Sequence, residues 1–321
     1  MIDLVRQPKL STNGDPQQGP NGRPMHHLLT STSLIGKLWL WRYVILRRVC
    51  QFTILLLFFG SAHWGWTIAN QPILIGNLSG SEFLGFVPLA DPFAVLQIFV
   101  SQHVLASKVI IGAIIVLALY ALIVGRAFCS WACPINMVTD LANWMRSRLQ
   151  VKDLFRLSGN TRYFVLALTL MLSAIAGVAA FEWISPISMF YRELIFGLGM
   201  AWMAVLGIFV FDLFVLKNGW CGHLCPLGAF YALASSRTAQ LKVRFIEKTC
   251  THCGECASVC PEPQVLNLKQ AGINNMITSG ECTNCGRCVA LCPEGSLRLD
   301  IRFLIASKHQ LNPATPIRRT A

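Results

Sequence analysis

Four long apolar stretches stand out along the chain: Val49–Ile68, about Val109–Phe128, Tyr163–Phe181 and Leu194–Leu216. Each comes close to the roughly 20 residues a helix needs to cross a bilayer, so the pattern predicts four membrane-spanning helices. A fifth apolar segment, Pro92–Ala106, is short and predicts a re-entrant or interfacial helix ahead of the second span. The first run starts too late and is too long for a cleavable signal peptide, and Arg47 and Arg48 directly precede it, so an uncleaved anchor is expected. The polar stretch "STNGDPQQGPNGRP" (11–24) predicts disorder within an extension over 1–36. The resulting division is a membrane domain over 37–240, a small domain over 241–305 and a tail over 306–321.

Composition sharpens the membrane reading. Hydrophobic residues make up 54% of the 321-residue chain and charged residues only 13%, about half the share of a soluble domain. The net charge of +12 raises nucleic acid as a partner, but the basic residues sit beside apolar segments and form no continuous face, so that class is set aside. Lysine and arginine instead orient the spans. Residues 1–48 carry seven and 126–162 carry six, whereas 69–108 carries only Lys108 and 182–193 only Arg192. Both termini and the 126–162 loop are therefore expected on the cytoplasmic side of an inner membrane.

The cysteines supply the chemistry. The C-terminal region holds Cys250-x2-Cys253-x2-Cys256-x3-Cys260-Pro261 and then Cys282-x2-Cys285-x2-Cys288-x3-Cys292-Pro293. This is the bacterial two-cluster ferredoxin run, in which the fourth cysteine ligates the other cluster. The expected sets are Cys250, Cys253, Cys256 with Cys292, and Cys282, Cys285, Cys288 with Cys260, each holding a [4Fe–4S] cluster in a small α+β domain. Zinc sites take four ligands in paired CxxC units and do not call for a fourth Cys-Pro. Disulfides do not suit a reducing cytoplasm.

Two further pairs, Cys129-x3-Cys133-Pro134 and Cys221-x3-Cys225-Pro226, each end an outside-to-inside span. The spacing puts both sulfurs of a pair on one face of a helical turn. Four thiols could thus converge at the cytoplasmic membrane edge as a soft-metal site, an iron–sulfur site or a redox pair; buried packing cysteines are the plainer alternative. Cys50 reads as core packing. Spans one and two end in RAFCSWACPIN and spans three and four in NGWCGHLCPLG, so the all-α membrane domain reads as two tandem hairpins. After the first pair, Met137, Val138, Leu141, Trp144 and Met145 recur at helical spacing opposite Arg146 and Arg148, which predicts an amphipathic helix on the cytoplasmic surface.

On GRAFCSWACPINMVTDLANWMR, NGWCGHLCPLGAFY and the two CxxCxxCxxxCP runs, the chain resembles the NapH family over about Gly36 to Ile305. These are membrane-bound ferredoxin-type subunits of periplasmic nitrate reductase systems. The resemblance implies a quinol dehydrogenase subunit that takes electrons from the quinone pool. It passes them, with a NapG-like ferredoxin-type protein or a NapC-like tetrahaem cytochrome, towards a periplasmic nitrate reductase. NosR-like relatives carry a large periplasmic flavin domain for which the outer connections here are too short. CcoG-like relatives, thought to reduce copper, carry an additional C-terminal domain. MauN-like proteins of methylamine utilisation share the layout.

A quinol site needs an apolar slot and a proton acceptor. In "SAHWGW" (61–66), His63 stands between aromatics near the outer end of the first span and is the first choice; an interfacial histidine beside Trp64 and Trp66 is the alternative. His103, Glu82 and Asp91 are weaker choices on that side, and Asp212 lies near the inner end of the fourth span. The competing functions are a copper or iron reductase or maturation factor working at Cys129, Cys133, Cys221 and Cys225, and a non-redox membrane anchor. No nucleotide-binding fingerprint or nucleophile triad is present.

Overall fold

The computed structural model describes residues 34–68, 71–151, 153–155, 157–197, 199–236 and 238–303. The expected extension, except for 34–36, and the expected tail lie outside these residues. The first helix, Leu34–His63, has 30 residues, about 45 Å of length. It begins well before the apolar run, and its lower part reaches the C-terminal domain, where Tyr43 joins the hydrophobic core.

Among the described residues, two helices are long and apolar enough to cross a membrane, Trp41–His63 and Ser107–Val124. The third apolar stretch forms Thr161–Ala176, which is 16 residues long, and stops at Gly177 in the left-handed region (φ +65°). In the fourth stretch the chain turns at Gly197 (φ +93°), where the helix Pro186–Phe196 ends, and Ala201–Val210 follows. The third and fourth helices are therefore shorter than the apolar runs that predicted them. Hydropathy counts apolar side chains and does not see where glycine turns the backbone.

The membrane part is not all-α, which corrects the sequence reading. Strands Leu74–Asn77, Gly80–Phe83 and Val87–Ala90 form an antiparallel meander, with Ile75 opposite Glu82 and Ser81 opposite Leu89. The first turn requires Gly76 at φ +103°, because a Cβ there would meet the Gly80 carbonyl oxygen at 2.3 Å. Strands of four residues between glycine turns carry no span-length signal, which is why hydropathy missed them. The meander packs between the first two long helices. Leu74 and Leu78 lie against the cluster containing Ile54, Leu55 and Phe58, and Gly112 lets Pro88 come within 3.0 Å of where a Cβ would stand.

The short helix Pro92–Val100 follows, capped by Asp91, whose carboxylate accepts from the Phe93 amide at 3.1 Å. Phe93 and Gln97 are fully buried, and the Gln97 carboxamide oxygen accepts from the Phe181 amide at 2.9 Å. The segment expected as a re-entrant or interfacial helix thus packs into the helical bundle.

Both hairpin ends close in the same way. The helix Ser107–Ala118 continues as a π-turn over Leu119–Val124, and Ala201–Val210 continues as one over Phe211–Val215. Each cysteine turn then closes over five residues: the Cys133 amide donates to the Phe128 carbonyl at 3.0 Å and the Cys225 amide to the Trp220 carbonyl at 2.9 Å. π-turns are rare and cluster at functional sites.

The helix Ile135–Leu149 forms where expected, with Asp140 and Arg146 buried and Leu141 exposed. Helical spacing alone cannot tell an apolar stripe facing the core from one facing outward. Here buried ion pairs decide the orientation.

The C-terminal domain is α+β. Strands Leu241–Phe245 and Leu297–Ile301 pair antiparallel, Val243 opposite Leu299. They cover a small core of Val243, Phe245, Val265, Ala271, Ile277, Val289 and Leu297.

Candidate electron-transfer site

Two loops, CTHCGEC and CTNCGRC, repeat the same backbone path. His252 and Asn284 sit at φ +55° and +49°, and Gly254 and Gly286 at φ +80° and +73°. Each loop leads into a five-residue helix, Glu255–Val259 or Arg287–Leu291, and Cys260 or Cys292 then leaves in extended conformation. Left-handed residues fold the loop tightly enough to turn three sulfurs inward. Cys250, Cys253, Cys256 and Cys292 line one cavity, and Cys260, Cys282, Cys285 and Cys288 line another.

These cavities fit a [4Fe–4S] cluster on the chemistry of their donors. Each offers four thiols, and main-chain amides point at the sulfurs, as from His252 to Cys250 at 3.4 Å. Burial pushes the thiols of Cys256 and Cys282 up to about 11 and that of Cys260 to about 12. A positively charged iron core is what would hold them as thiolates. Among the described residues, no three His, Cys, Asp or Glu side chains group closely enough for a single metal ion. A tetrahedral zinc site would draw its sulfurs to about 2.3 Å from one point.

The second cavity faces the membrane part, and both cysteine turns grip its walls. The Ser130 hydroxyl donates to the Thr283 carbonyl at 2.7 Å and the Trp131 indole to the Asn284 carbonyl at 3.2 Å. From the second turn, the Asn218 carboxamide donates to the Pro261 carbonyl at 3.0 Å. The Asn284 side chain reaches back to the Val124 carbonyl at 3.0 Å.

Two buried ionic hubs complete this junction. Glu262, next to Pro261, pairs with Arg126 at 2.5 Å and Arg162 at 2.8 Å. Arg126 also donates to the carbonyls of Glu281 and Cys221, each at 3.1 Å. Asp140 pairs with Arg47 at 2.8 Å and also with Arg48 and Arg287. Burial alone would raise the Asp140 carboxyl, but Arg287, Arg47 and Arg48 hold it below the ordinary range. At Gly286 a Cβ would strike the Tyr43 ring at 2.5 Å, so the first helix also presses on the second cluster loop.

At the membrane edge Cys129 acts electrostatically on Cys133, Cys221 and Cys225, and Cys133 and Cys225 act on Cys221. Cys133 and Cys225 are buried, and Cys129 and Cys221 are partly so. Burial pushes the Cys225 thiol up to about 11 and raises the other three, with Arg126 opposing the rise at Cys129. Such thiols give up protons only to a strong positive partner.

The quinol candidates are scattered. The His63 ring nitrogen Nε2 contacts the Leu194 carbonyl at 3.0 Å, which ties it to the helix Pro186–Phe196. Asp91 is partly buried at the re-entrant turn, within hydrogen-bonding reach of Tyr231. Asp212 accepts from the Trp220 amide at 3.0 Å, so it braces the second cysteine turn. Glu82 lies on the meander, and His103 is exposed beyond the short helix. Cys50 is half-buried.

Sequence reasoning missed Arg126, Asp140, Glu262 and Arg287. The available signal was their position, since Arg126 directly precedes one cysteine motif, Arg287 interrupts another and Glu262 follows a Cys-Pro.

Known proteins give the same picture. A family described as "4Fe-4S binding domain" matches residues 108–152 and 198–244, the two hairpin ends, and one described as "4Fe-4S dicluster domain" matches 242–293. The chain is 41% identical over 226 residues to the ferredoxin-type protein NapH of Escherichia coli K12, covering 70% of this chain and 77% of that one. It is 44% identical over 226 residues to the methylamine utilization ferredoxin-type protein MauN of Methylobacillus flagellatus, covering 70% and 78%. NapH of Haemophilus influenzae is 37% identical over 234 residues, covering 71% and 79%. No solved structure matches the chain.

Proposed function

The chain belongs to the NapH and MauN family of ferredoxin-type iron–sulfur electron-transfer proteins, and from that premise we propose that it carries electrons from membrane quinol to two cytoplasmic [4Fe–4S] clusters. In this reading it is a multi-pass inner-membrane protein with both ends in the cytoplasm. The uneven spread of lysine and arginine supports that topology. Cys250, Cys253, Cys256 and Cys292 hold the distal cluster, and Cys260, Cys282, Cys285 and Cys288 the proximal one.

When bound, each cluster accepts or gives one electron. Oxidation of one quinol to quinone releases two electrons and two protons, so two clusters match the electron count. The chain's own residues position the exchange. Ser130, Trp131 and Asn218 hold the proximal loop against the membrane edge. That clamp is the observation that carries the reading, because it seats one cavity beside both membrane-edge cysteine pairs. His63 serves as the quinol-side proton acceptor through the ring nitrogen that does not contact Leu194. A NapG-like protein or a NapC-like cytochrome takes the electrons onward to a periplasmic nitrate reductase.

The test is direct. Anaerobically purified protein is mixed with a menaquinol or ubiquinol analogue and followed by electron paramagnetic resonance. Reduction of the clusters supports the reading, and clusters that quinol never reduces, even with the partner present, overturn it.

A second reading rests on the four membrane-edge thiols, whose segments match a 4Fe-4S binding family. Here they hold a further metal or cluster that the two ferredoxin-type clusters reduce, as in a copper or iron reductase or a maturation factor.

A further inference from the structure

Gln150 ends the helix Ile135–Leu149 in the left-handed region, at φ +52°. Around and beyond it, large apolar side chains stand outward. Leu149, Leu154 and Phe155 are 58%, 67% and 63% exposed, and Leu157 is 39% exposed. The backbone that carries them is nonetheless pinned. The Leu154 amide donates to the Val215 carbonyl at 3.0 Å. Asp153 pairs with Arg146 at 2.9 Å and accepts from the Lys217 amide at 2.9 Å. Arg146 in turn donates to the carbonyls of Asp212 and Leu213, each at 3.1 Å. These bonds hold the segment against the inner end of the fourth apolar stretch. Apolar side chains grouped at a surface mark contact with a protein or a membrane.

The surroundings favour the membrane. The stretch to which the segment is tied exposes Val210 and Phe214, and in a bilayer such side chains face acyl chains. The Leu154–Val215 bond carries that apolar surface straight on to Leu154 and Phe155. Arg148 is exposed and holds its guanidinium 5.8 Å from the Trp144 ring centroid. Indole rings and long basic side chains favour the headgroup level. Positions 146–157 carry Arg146, Arg148, Lys152 and Arg156 against the single carboxylate of Asp153, a balance that suits the acidic lipids of a cytoplasmic leaflet.

We propose that Leu149, Leu154, Phe155 and Leu157 form an anchor that inserts among the acyl chains of the cytoplasmic leaflet. The inference rests on the multi-pass reading above. The anchor also bears on the redox junction. Arg146 and Asp153 fix it to Asp212, Leu213 and Lys217, just ahead of the turn Trp220–Leu224 that carries Cys221. The anchor therefore sets the depth at which the second cysteine turn leaves the bilayer. It sets with it the position of Asn218, which holds the Pro261 carbonyl beside the proximal cavity.

The experiment places the full chain in lipid nanodiscs with a photoreactive benzophenone amino acid in place of Phe155. After irradiation, lipid adducts are counted by mass spectrometry. Two other positions calibrate the count. Ile175, 76% exposed on the helix Thr161–Ala176, reports acyl chains, and Ile273, 76% exposed in the cluster domain, reports water. Adducts are expected at positions 155 and 175 and not at 273. Leu149→Asp/Leu154→Asp is expected to remove most adducts at 155 and to spare those at 175. Adducts at 155 no more frequent than at 273, or crosslinks from 155 to another protein chain in their place, overturn the inference. So do undiminished adducts in the double variant. If that variant loses its iron, the pattern across the three positions without it decides. An absence of adducts at 175 refutes the multi-pass reading beneath, which is a distinct outcome.

Discussion

Arg126, which opens the turn to Cys129, lies 2.5 Å from the carboxylate of Glu262, the residue after the Cys260-Pro261 step. One buried ion pair therefore ties the first membrane-edge cysteine turn to the wall of the proximal cluster cavity. Replacing Arg126 by Met leaves Glu262 with Arg162 alone and frees the carbonyls of Glu281 and Cys221. Removing one partner of a buried pair typically costs about 3 kcal/mol or more. Thermal unfolding in detergent should register a loss of that size, with protease cutting between the membrane part and the cluster domain. An Arg126→Met protein as stable and as resistant as the parent would show the pair to be incidental.

Asp140 gives a pH dependence with a definite sign. Its folded-state pKa is depressed by Arg287, Arg47 and Arg48. Its contribution is therefore complete above the unfolded value of about 3.9 and is lost as pH falls through the lower folded value. Between about pH 5 and pH 3, stability should fall more steeply in the parent than in Asp140→Asn. The variant should also be weaker at neutral pH, by about 3 to 5 kcal/mol, because it leaves buried guanidinium groups without their carboxylate. Parallel pH profiles for the two proteins would remove Asp140 from the account.

The crossed ligand sets predict an asymmetric outcome. Cys260 belongs to the first cysteine run but lines the cavity of the second. Cys260→Ser should disturb the proximal signal and spare the distal one, and Cys292→Ser should do the reverse. Each variant should retain about half or more of the iron, since one intact four-cysteine set remains. Disturbance of the cluster within the same run would exclude the crossing.

Much of this junction was legible in the sequence, and the illegible part has physical reasons. Cysteine spacing implied which sulfurs share a cavity, because the spacing is itself the geometry of a tight loop. The duplicated CxxxCP turns likewise mark two equivalent helix ends, since each closes with the same five-residue turn. The meander over Leu74–Ala90 left no such mark, since four-residue strands between glycine turns look like any loop. The buried face of the helix Ile135–Leu149 left none either, because Asp140 and Arg146 are buried by partners distant in sequence, Arg47 among them. Long-range ion pairs have no sequence period.

The membrane-edge thiols yield their own prediction. If Cys129, Cys133, Cys221 and Cys225 hold a metal or cluster, Cys129→Ser/Cys133→Ser protein should contain less iron, copper or zinc than the parent while the two ferredoxin-type signals persist. Equal contents of all three metals would leave these cysteines as thiols or packing groups.

The central claim is that electrons pass between the quinone pool and the two clusters across the junction at the membrane edge. The most direct measurement poises the anaerobic protein with quinol and quinone at a series of ratios and reads the clusters by freeze-quench electron paramagnetic resonance. The account predicts that the cluster signals follow the quinol-to-quinone ratio in the parent. It also predicts that they follow it far more slowly in a Cys129→Ser/Cys221→Ser variant that keeps the iron of both tetrads. Parent clusters that ignore the ratio, or a variant that equilibrates as fast as the parent, would contradict it.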